Sequence, residues 1–186
     1  MLYFLKNGFR LMKKELLITL ILLLNLTPLS AKSNTETLGD FLAVALPLGA
    51  YGATLYNQDT EGQYQMYKSY GATMATTLAL KYTVREKRPD SNNRDSFPSG
   101  HTASAFAGAG FIHQHYGFKY AVVPYLAAIY TGYSRVHSNK HFKRDVVVGA
   151  TIATLSSWYF VEPYKNLKIS PTATGEFQGV RVSYKF

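Results

Sequence analysis

Three short polar stretches interrupt an otherwise apolar sequence, and they contain the residue types that act on phosphate groups. The residues that could do so are Lys81, Arg88, Ser99, Gly100, His101, Arg135, His141 and Asp145. Lysine and arginine neutralise phosphate oxygens, and arginine can do so through two parallel hydrogen bonds. Imidazole side chains can supply a nucleophile and a proton donor. This combination indicates phosphoryl transfer.

The two histidines in these stretches differ in what stands beside them. His141 and Asp145 are spaced i, i+4, so a helical turn can bring the carboxylate to the imidazole and hold its tautomer. An imidazole held in this way can attack phosphorus. His101 follows Ser99 and Gly100 at a predicted helix start, where the backbone N–H groups of these three residues can bind an anion. His101 can also protonate a leaving oxygen.

Lys81 and Arg88 are seven residues apart, which is two turns of a helix. We expect them to share one face at the C-terminal end of a helix that Pro89 terminates. No segment matches a Walker loop or a zinc motif, and the sequence contains no cysteine. We therefore expect neither a metal nor another cofactor, and we expect a phosphorylated small molecule or lipid as the substrate.

The same residues, in the same order, give the chain a resemblance to a known superfamily. Its patterns K-x6-RP, PSGH and SR-x5-H-x3-D stand here as Lys81 to Pro89, Pro98 to His101 and Ser134 to Asp145. The chain resembles the type-2 phosphatidic acid phosphatases, which share a fold with class A acid phosphatases and vanadium haloperoxidases. The resemblance covers about residues 62–160, and it implies a helical bundle with the site at one end.

The resemblance also implies a role for each residue. His141 would attack phosphorus and form a phosphohistidine, and Asp145 would orient it. His101 would protonate the leaving group and would later activate water. The groups that would hold the phosphoryl oxygens are Lys81, Arg88, Ser99, the backbone N–H of Gly100, and Arg135.

The elements that must position these residues are predicted from apolar segments and helix breakers. Helices are predicted at residues 40–56, 63–84, 102–116, 119–134 and 146–160. Gly117 and Pro163 are the expected stops of the third and fifth helices. Strands do not alternate with the helices, so the predicted fold class is all-α. It is a bundle of about five core helices in a phosphatase domain of residues 32–165.

The N-terminal residues 1–31 are interpreted as a signal peptide. A basic segment precedes the apolar run of residues 16–26, and small residues follow it up to Ala31. An uncleaved membrane anchor is the alternative, although the run is shorter than the ~20 residues of a span. The protein is therefore expected to be exported, to the periplasm or to the periplasmic face of a bacterial membrane.

The C-terminal residues 166–186 show a different pattern from the bundle. Apolar and polar residues alternate from Val180 to Phe186, which predicts a strand that pairs with residues 167–169 in a short β-hairpin. We expect this hairpin to lie on the surface of the bundle. Contact of its apolar face with a membrane or a partner is the alternative.

Charge and hydropathy limit the choice of partners. The chain has 20 Lys and Arg against 11 Asp and Glu, and this excess favours anionic partners. The motifs favour phosphate groups and association with a membrane surface, and we expect no nucleic-acid partner. The predicted apolar segments, at roughly 15–17 residues, are shorter than a membrane span of ~20, which favours a soluble or peripheral domain.

The predicted function is that of an exported, metal-independent phosphatase. It would hydrolyse phosphomonoesters or diphosphates of envelope lipids, such as lipid A, undecaprenyl diphosphate or phosphatidylglycerophosphate, through a phosphohistidine. A soluble, non-specific periplasmic acid phosphatase is the alternative with the same chemistry. A vanadium haloperoxidase is disfavoured by the short chain, and a non-catalytic phospholipid-binding protein by the complete pair of nucleophile and acid.

Overall fold

Five helices that run up and down form a bundle in the computed structural model, which describes residues 33–164, 167–174 and 177–184. The helices are α1 (Asn34–Tyr56), α2 (Thr60–Val84), α3 (Gly100–Tyr116), α4 (Phe118–His137) and α5 (Lys143–Phe160). All five predicted helices are present, which confirms the all-α fold class. The expected signal peptide or anchor, at residues 1–31, lies outside the described residues.

Each helix begins before its predicted start, and at α1, α2 and α3 a polar residue caps the start. The Ser33 hydroxyl accepts a hydrogen bond from the Glu36 N–H, and the Asp59 carboxylate accepts one from the Gly62 N–H. Gly117, with φ of 99°, separates α3 from α4, as predicted. The five helices have 23, 25, 17, 20 and 18 residues. The segments are therefore closer to membrane-spanning length than the sequence suggested.

The end of α2 agrees with the predicted segment of residues 63–84 but not with the expectation that Pro89 terminates the helix. The helix stops at Val84, because Arg85 adopts a left-handed conformation with φ of 50° and its N–H bonds to the Lys81 carbonyl. Lys81 is therefore in the last helical turn, whereas Arg88 lies in the loop beyond it. The expectation that Lys81 and Arg88 share one helical face was wrong, since Arg85 ends the helix before Pro89 can do so.

The central helix α3 packs against each of the other four helices. Its composition of alanine and glycine allows this, because small side chains let neighbouring backbones approach closely. A Cβ atom added to Gly108 would lie 2.6 Å from the carbonyl carbon of Leu46 in α1. On the other side of α3, a Cβ atom added to Gly149 of α5 would lie 2.6 Å from the Ser99 carbonyl oxygen. The helix that carries the PSGH stretch is thus held on all sides.

Small and hydroxyl-bearing side chains fill the interior, while many large apolar side chains lie on the outside. Of the largest fully buried side chains, several are hydroxyl residues: Thr54, Ser69, Thr73, Thr77, Thr102, Thr131 and Ser134. Some of these hydroxyls donate to helix carbonyls, as Thr73 does to Ser69 at 2.8 Å, so they can be buried at low cost. On the outside, Val123, Leu126 and Trp158 are 74%, 63% and 69% exposed. This distribution is the reverse of the one in a water-soluble bundle.

A buried polar cluster closes the end of the bundle where α1 meets α2 and α3 meets α4. His115 Nε2 lies 2.5 Å from the Asp59 carboxylate, and its Nδ1 lies 2.6 Å from the Glu162 carbonyl oxygen. His115 also stacks on Phe111. The cluster joins the start of α2, the end of α3 and the segment after α5, so its contribution is to stability.

The chain beyond the bundle contains two antiparallel strands, β1 (Leu167–Thr174) and β2 (Phe177–Tyr184). The register pairs Leu167 with Tyr184 and Thr174 with Phe177. The hairpin therefore includes the predicted residues up to Tyr184, and Lys185 and Phe186 lie outside the described residues. Among the described helices, α1 is long and apolar enough to cross a membrane by length and composition.

Candidate active site

The alternating helix directions bring all the predicted site residues to one end of the bundle. Lys81 is in the last turn of α2, and Arg88 follows it in the loop. His101 is in the first turn of α3, Arg135 is in the last turn of α4, and Asp145 is in the first turn of α5. The remaining predicted residues are Ser99, Gly100 and His141, which precede or begin α3 and α5.

His141 and Asp145 form a buried pair. His141 Nδ1 lies 3.5 Å from Asp145 Oδ2, and the two side chains are 2% and 0% exposed. The same carboxylate oxygen accepts hydrogen bonds from the Ser96 hydroxyl at 2.5 Å and from the Phe142 N–H at 3.0 Å. These contacts fix the carboxylate, and the carboxylate faces Nδ1. The Nε2 atom of His141 is consequently the nitrogen available to attack a substrate.

The hydroxyl and the N–H of Ser99 both form hydrogen bonds within the protein. Its hydroxyl caps α3 by contacting the Thr102 N–H and lies 2.9 Å from the Thr102 hydroxyl, and its own N–H donates to the Asp145 carbonyl oxygen at 3.0 Å. The expectation that the Ser99 N–H faces an anion was therefore wrong, because α5 takes that donor. The N–H groups of Gly100 and His101 remain as the candidate donors at this helix start.

Lys81 and Arg88 converge on one residue that the sequence analysis missed. Arg88 Nε and Nη2 donate to the two oxygens of Asp95 at 2.7 and 2.9 Å, and Lys81 Nζ donates to the Asp95 carbonyl oxygen at 2.5 Å. A Cβ atom on Gly100 would lie 3.7 Å from Lys81 Cε, so the lysine stem passes the start of α3. Asp95 therefore holds both cations beside that helix start.

Arg135 and His101 also converge on a carboxylate that the sequence analysis missed. Asp40 Oδ1 lies 2.5 Å from Arg135 Nη1 and 3.2 Å from His101 Nε2. Arg135 Nη2 also donates to the Glu36 carbonyl oxygen at 2.7 Å, and Nε donates to the Ser134 hydroxyl at 3.1 Å. The N-terminal part of α1 thus belongs to the site, although no predicted residue lies in it. The feature of the sequence that could have indicated this residue is a carboxylate in the second turn of an apolar helix.

The electrostatic setting of His141 suits a nucleophile. Burial lowers its pKa, contact with Asp145 opposes the shift, and the nearby charges of Lys81 and Arg88 lower it further, with a net decrease. The neutral imidazole, which has a free lone pair, is thereby favoured near neutral pH. Within the described residues, no group of three or more His, Asp or Glu side chains could hold a metal ion.

Two further cations at this end, Lys140 and Arg144, are paired with carboxylates as well. Lys140 Nζ lies 2.7 Å from Asp90 and 3.7 Å from Glu36, and Arg144 pairs with Glu86. The positive charge of the rim is therefore partly neutralised before any substrate binds.

Two histidines, two arginines, a lysine and their carboxylate partners lie together at one end of an up-and-down helical bundle. This fold and this site define a class of helical enzymes that act on phosphate esters. The sequence model of the PAP2 superfamily matches residues 64–168, more than half of the chain. The chain belongs to the PAP2 superfamily, in agreement with the predicted family and with the predicted phosphatase class.

Curated relatives are phosphatases of one lipid. The chain is 44% identical over 80 residues to the lipid A 1-phosphatase of Porphyromonas gingivalis, and 35% identical over 115 residues to the lipid A 4'-phosphatase of Helicobacter pylori. The aligned parts are 41% and 59% of this chain, and they span 18% and 58% of the two relatives. The matching region is therefore only part of each relative.

Two solved structures share the fold. The crystal structure of LpxE from Aquifex aeolicus superposes with a TM-score of 0.51 at 23% identity, over 76% of this chain and 92% of that one. The first transmembrane PAP2-type phosphatidylglycerolphosphate phosphatase from Bacillus subtilis gives 0.52 at 23% identity, over 68% and 71%. None of these similarities favours the alternative of a soluble acid phosphatase.

Proposed function

We propose that the protein is a metal-independent phosphatase that removes a phosphate group from a membrane lipid through a phosphohistidine. The observation that carries this proposal is the convergence of the three motifs at one end of the bundle. A buried His–Asp pair, a second histidine and three cations meet there on the ends of four helices. The chain itself thus holds a nucleophile, an acid and phosphate-binding groups.

In the first step, Nε2 of His141 attacks phosphorus in line with the bond to the leaving oxygen. The P–O bond breaks as the P–N bond forms, and a proton from His101 passes to the leaving oxygen, which departs as an alcohol. The charge that develops on the His141 imidazolium is balanced by Asp145 at Nδ1. The phosphoryl oxygens are held by Lys81, Arg88, Arg135 and the N–H groups at the start of α3.

In the second step, water attacks the phosphohistidine. His101, now neutral, takes a proton from that water, the P–N bond breaks and inorganic phosphate leaves. His101 is then protonated and His141 is neutral, as at the start. Each residue therefore returns to its first state, and the reaction consumes one water per phosphate released.

The surface of the bundle supports a lipid as the substrate. Aliphatic side chains such as Leu48, Val123, Leu126 and Ile129 are exposed along the middle of the helices. Exposed aromatic side chains lie near both ends of the bundle: Phe41, Tyr82 and Tyr133 near the site, and Phe118, Tyr120, Trp158 and Tyr159 at the other end. Apolar surface between two aromatic bands matches the profile of a bilayer. The site would then lie at the membrane surface.

An apolar groove next to the site offers a place for one acyl chain. It has a volume of about 410 Å³ and lies between α4 and α5, over Phe106 of α3. Its lining on α5 runs from Val146, the neighbour of Asp145, to Leu155, a rise of about 14 Å at 1.5 Å per residue. A lipid with its phosphate at the site could place a chain along this groove.

The named substrates of the relatives narrow the choice of lipid. Both curated relatives are called lipid A phosphatases, so we propose a phosphomonoester of lipid A as the first substrate to test. Export to the periplasmic face of a bacterial membrane accords with that substrate and with the signal-like N-terminal sequence.

The test is phosphate release by the full chain in detergent micelles that contain EDTA. The panel is lipid A, undecaprenyl diphosphate, phosphatidylglycerophosphate and a soluble aryl phosphate. We expect the lipids to be hydrolysed, His141→Ala to be inactive and His137→Ala, a matched change at an exposed histidine, to remain active. Radiolabelled substrate should leave an acid-labile, base-stable label on His141. Full turnover by His141→Ala would refute the mechanism, and turnover of the aryl phosphate alone would refute the substrate class.

A further inference from the structure

Asp40 is a carboxylate of the site that lies outside the residues matched by the superfamily. The match begins at residue 64, whereas Asp40 is in the second turn of α1. Its Oδ1 atom contacts Nε2 of His101 at 3.2 Å and Nη1 of Arg135 at 2.5 Å. One carboxylate oxygen thus joins the PSGH motif to the SR-x5-H-x3-D motif.

The helix around Asp40 is docked closely enough to hold this carboxylate in place. Gly39 faces α4, where an added Cβ atom would overlap the Ser134 hydroxyl and would lie 2.8 Å from Arg135 Nη2. The Glu36 carbonyl oxygen, one turn earlier, accepts a hydrogen bond from the same Nη2 at 2.7 Å. Because backbone, glycine and carboxylate of α1 all meet Arg135, the position of Asp40 relative to the site is fixed.

The two His–Asp contacts of the site engage different ring nitrogens. Asp145 faces Nδ1 of His141, whereas Asp40 faces Nε2 of His101. A carboxylate beside one imidazole nitrogen holds the proton there and leaves the other nitrogen for chemistry. His101 is 35% exposed and Asp40 21%, so the pair borders the space that substrate must enter.

We propose that Asp40 is the positioning residue of the general acid. It holds the proton on Nε2 of His101, so that Nδ1–H of the imidazolium protonates the leaving oxygen in the first step. Nδ1 then accepts the proton of the attacking water in the second step, while the Nε2 proton stays with Asp40. This proposal rests on the proposed function and adds to it a residue that supports the acid.

The dependence of the rate on the leaving group distinguishes the proposed role of Asp40 from its contact with Arg135. Arg135 would bind the phosphoryl group, which is the same in every substrate, so loss of its orientation should slow all esters equally. Loss of a proton donor slows the esters of weakly acidic alcohols most, because their leaving oxygens need the proton. The dependence of rate on the leaving group therefore reports on Asp40 through His101 alone.

The experiment compares Asp40→Asn with the unmodified full chain on phosphate monoesters that have one acyl chain and leaving groups ranging from a nitrophenol to an alkyl alcohol. We expect the rate constant of the first step, measured as release of the alcohol in a single turnover, to fall about 100-fold for the alkyl ester and less than about tenfold for the nitrophenyl ester. His101→Ala should give the same pattern, and the double variant should lose no more than the single ones. Asp90→Asn, a carboxylate beside Lys140, is the matched control and should change neither ester.

An equal loss on both esters, or additive losses in the double variant, would overturn the role of Asp40. Absence of turnover by the unmodified chain would instead contradict the proposed function. Nitrogen-15 spectra of labelled histidine test the pairing without turnover: the unmodified chain should hold the His101 proton on Nε2, and Asp40→Asn should release that preference. An unchanged tautomer in Asp40→Asn would also overturn the proposal.

Discussion

Replacement of Asp145 by Asn tests the assignment of His141 as the nucleophile. The carboxylate is fully buried, and its Oδ2 contacts Ser96, the Phe142 N–H and His141 Nδ1. An amide oxygen can keep the first two contacts, but it brings no charge to stabilise the His141 imidazolium. In a serine-protease triad the same exchange lowers kcat by about 10⁴. Because the contact here is long, at 3.5 Å, we expect a loss of about 10³, or ~4 kcal/mol.

The assay is single-turnover hydrolysis of the lipid that the unmodified chain uses best, with trapping of the phosphohistidine in the same samples. Ser96→Ala removes one hydrogen bond to the same oxygen and should cost about tenfold, so the two variants form a graded series. Thermal unfolding in detergent checks that both variants fold. A folded Asp145→Asn protein that loses less than tenfold would show that His141 does not depend on this carboxylate, and the reasoning would fail.

Three further changes test the pH dependence, the groove and the distal cluster. Since burial and nearby cations lower the pKa of His141, kcat/KM should fall only below pH 6.5, and Lys81→Met should move this acid limb to higher pH in a pH–rate profile. Ala150→Phe, in the groove, should lower kcat/KM about tenfold for a long-chain lipid but not for a short-chain ester, whereas Val123→Phe on the exposed face of α4 should change neither. His115→Ala leaves a buried carboxylate without its partner, so it should lower the free energy of unfolding by about 3 kcal/mol in a denaturation experiment and leave kcat unchanged.

The helices could be predicted from the sequence because their signals are local. Apolar segments and Gly117 mark the last four helices within about three positions, whereas α1 begins at Asn34 and not at the predicted residue 40. The helical face shared by Lys81 and Arg88 was predicted wrongly because Pro89 was given the role that Arg85 has in the structure. A left-handed arginine carries no sequence signal, whereas a proline does.

Only the site residues that belong to the three spaced motifs could be predicted from the sequence. Asp40 and Arg135 are 95 residues apart, and their contact depends on how α1 docks against α4. Asp95 is close to Arg88 in sequence, but the loop between them has no periodicity that would predict the pairing. The Ser99 N–H was assigned to the substrate because α5, which accepts that hydrogen bond, could not be placed beforehand.

The pairing of cations with carboxylates explains how a bundle with an apolar surface can hold so much charge at one end. Arg88 lies against Asp95, and Arg135 lies against Asp40. Charges at low dielectric are tolerated when each has a partner and hydrogen bonds, so the site is stable before substrate arrives. Arg88 gives Nε and one Nη2 hydrogen to Asp95, which leaves its Nη1 hydrogens and the second Nη2 hydrogen for phosphate. The carboxylates therefore orient the cations without using all of their donors, and this is why removal of Asp40 or Asp95 should impair catalysis even though it increases the positive charge.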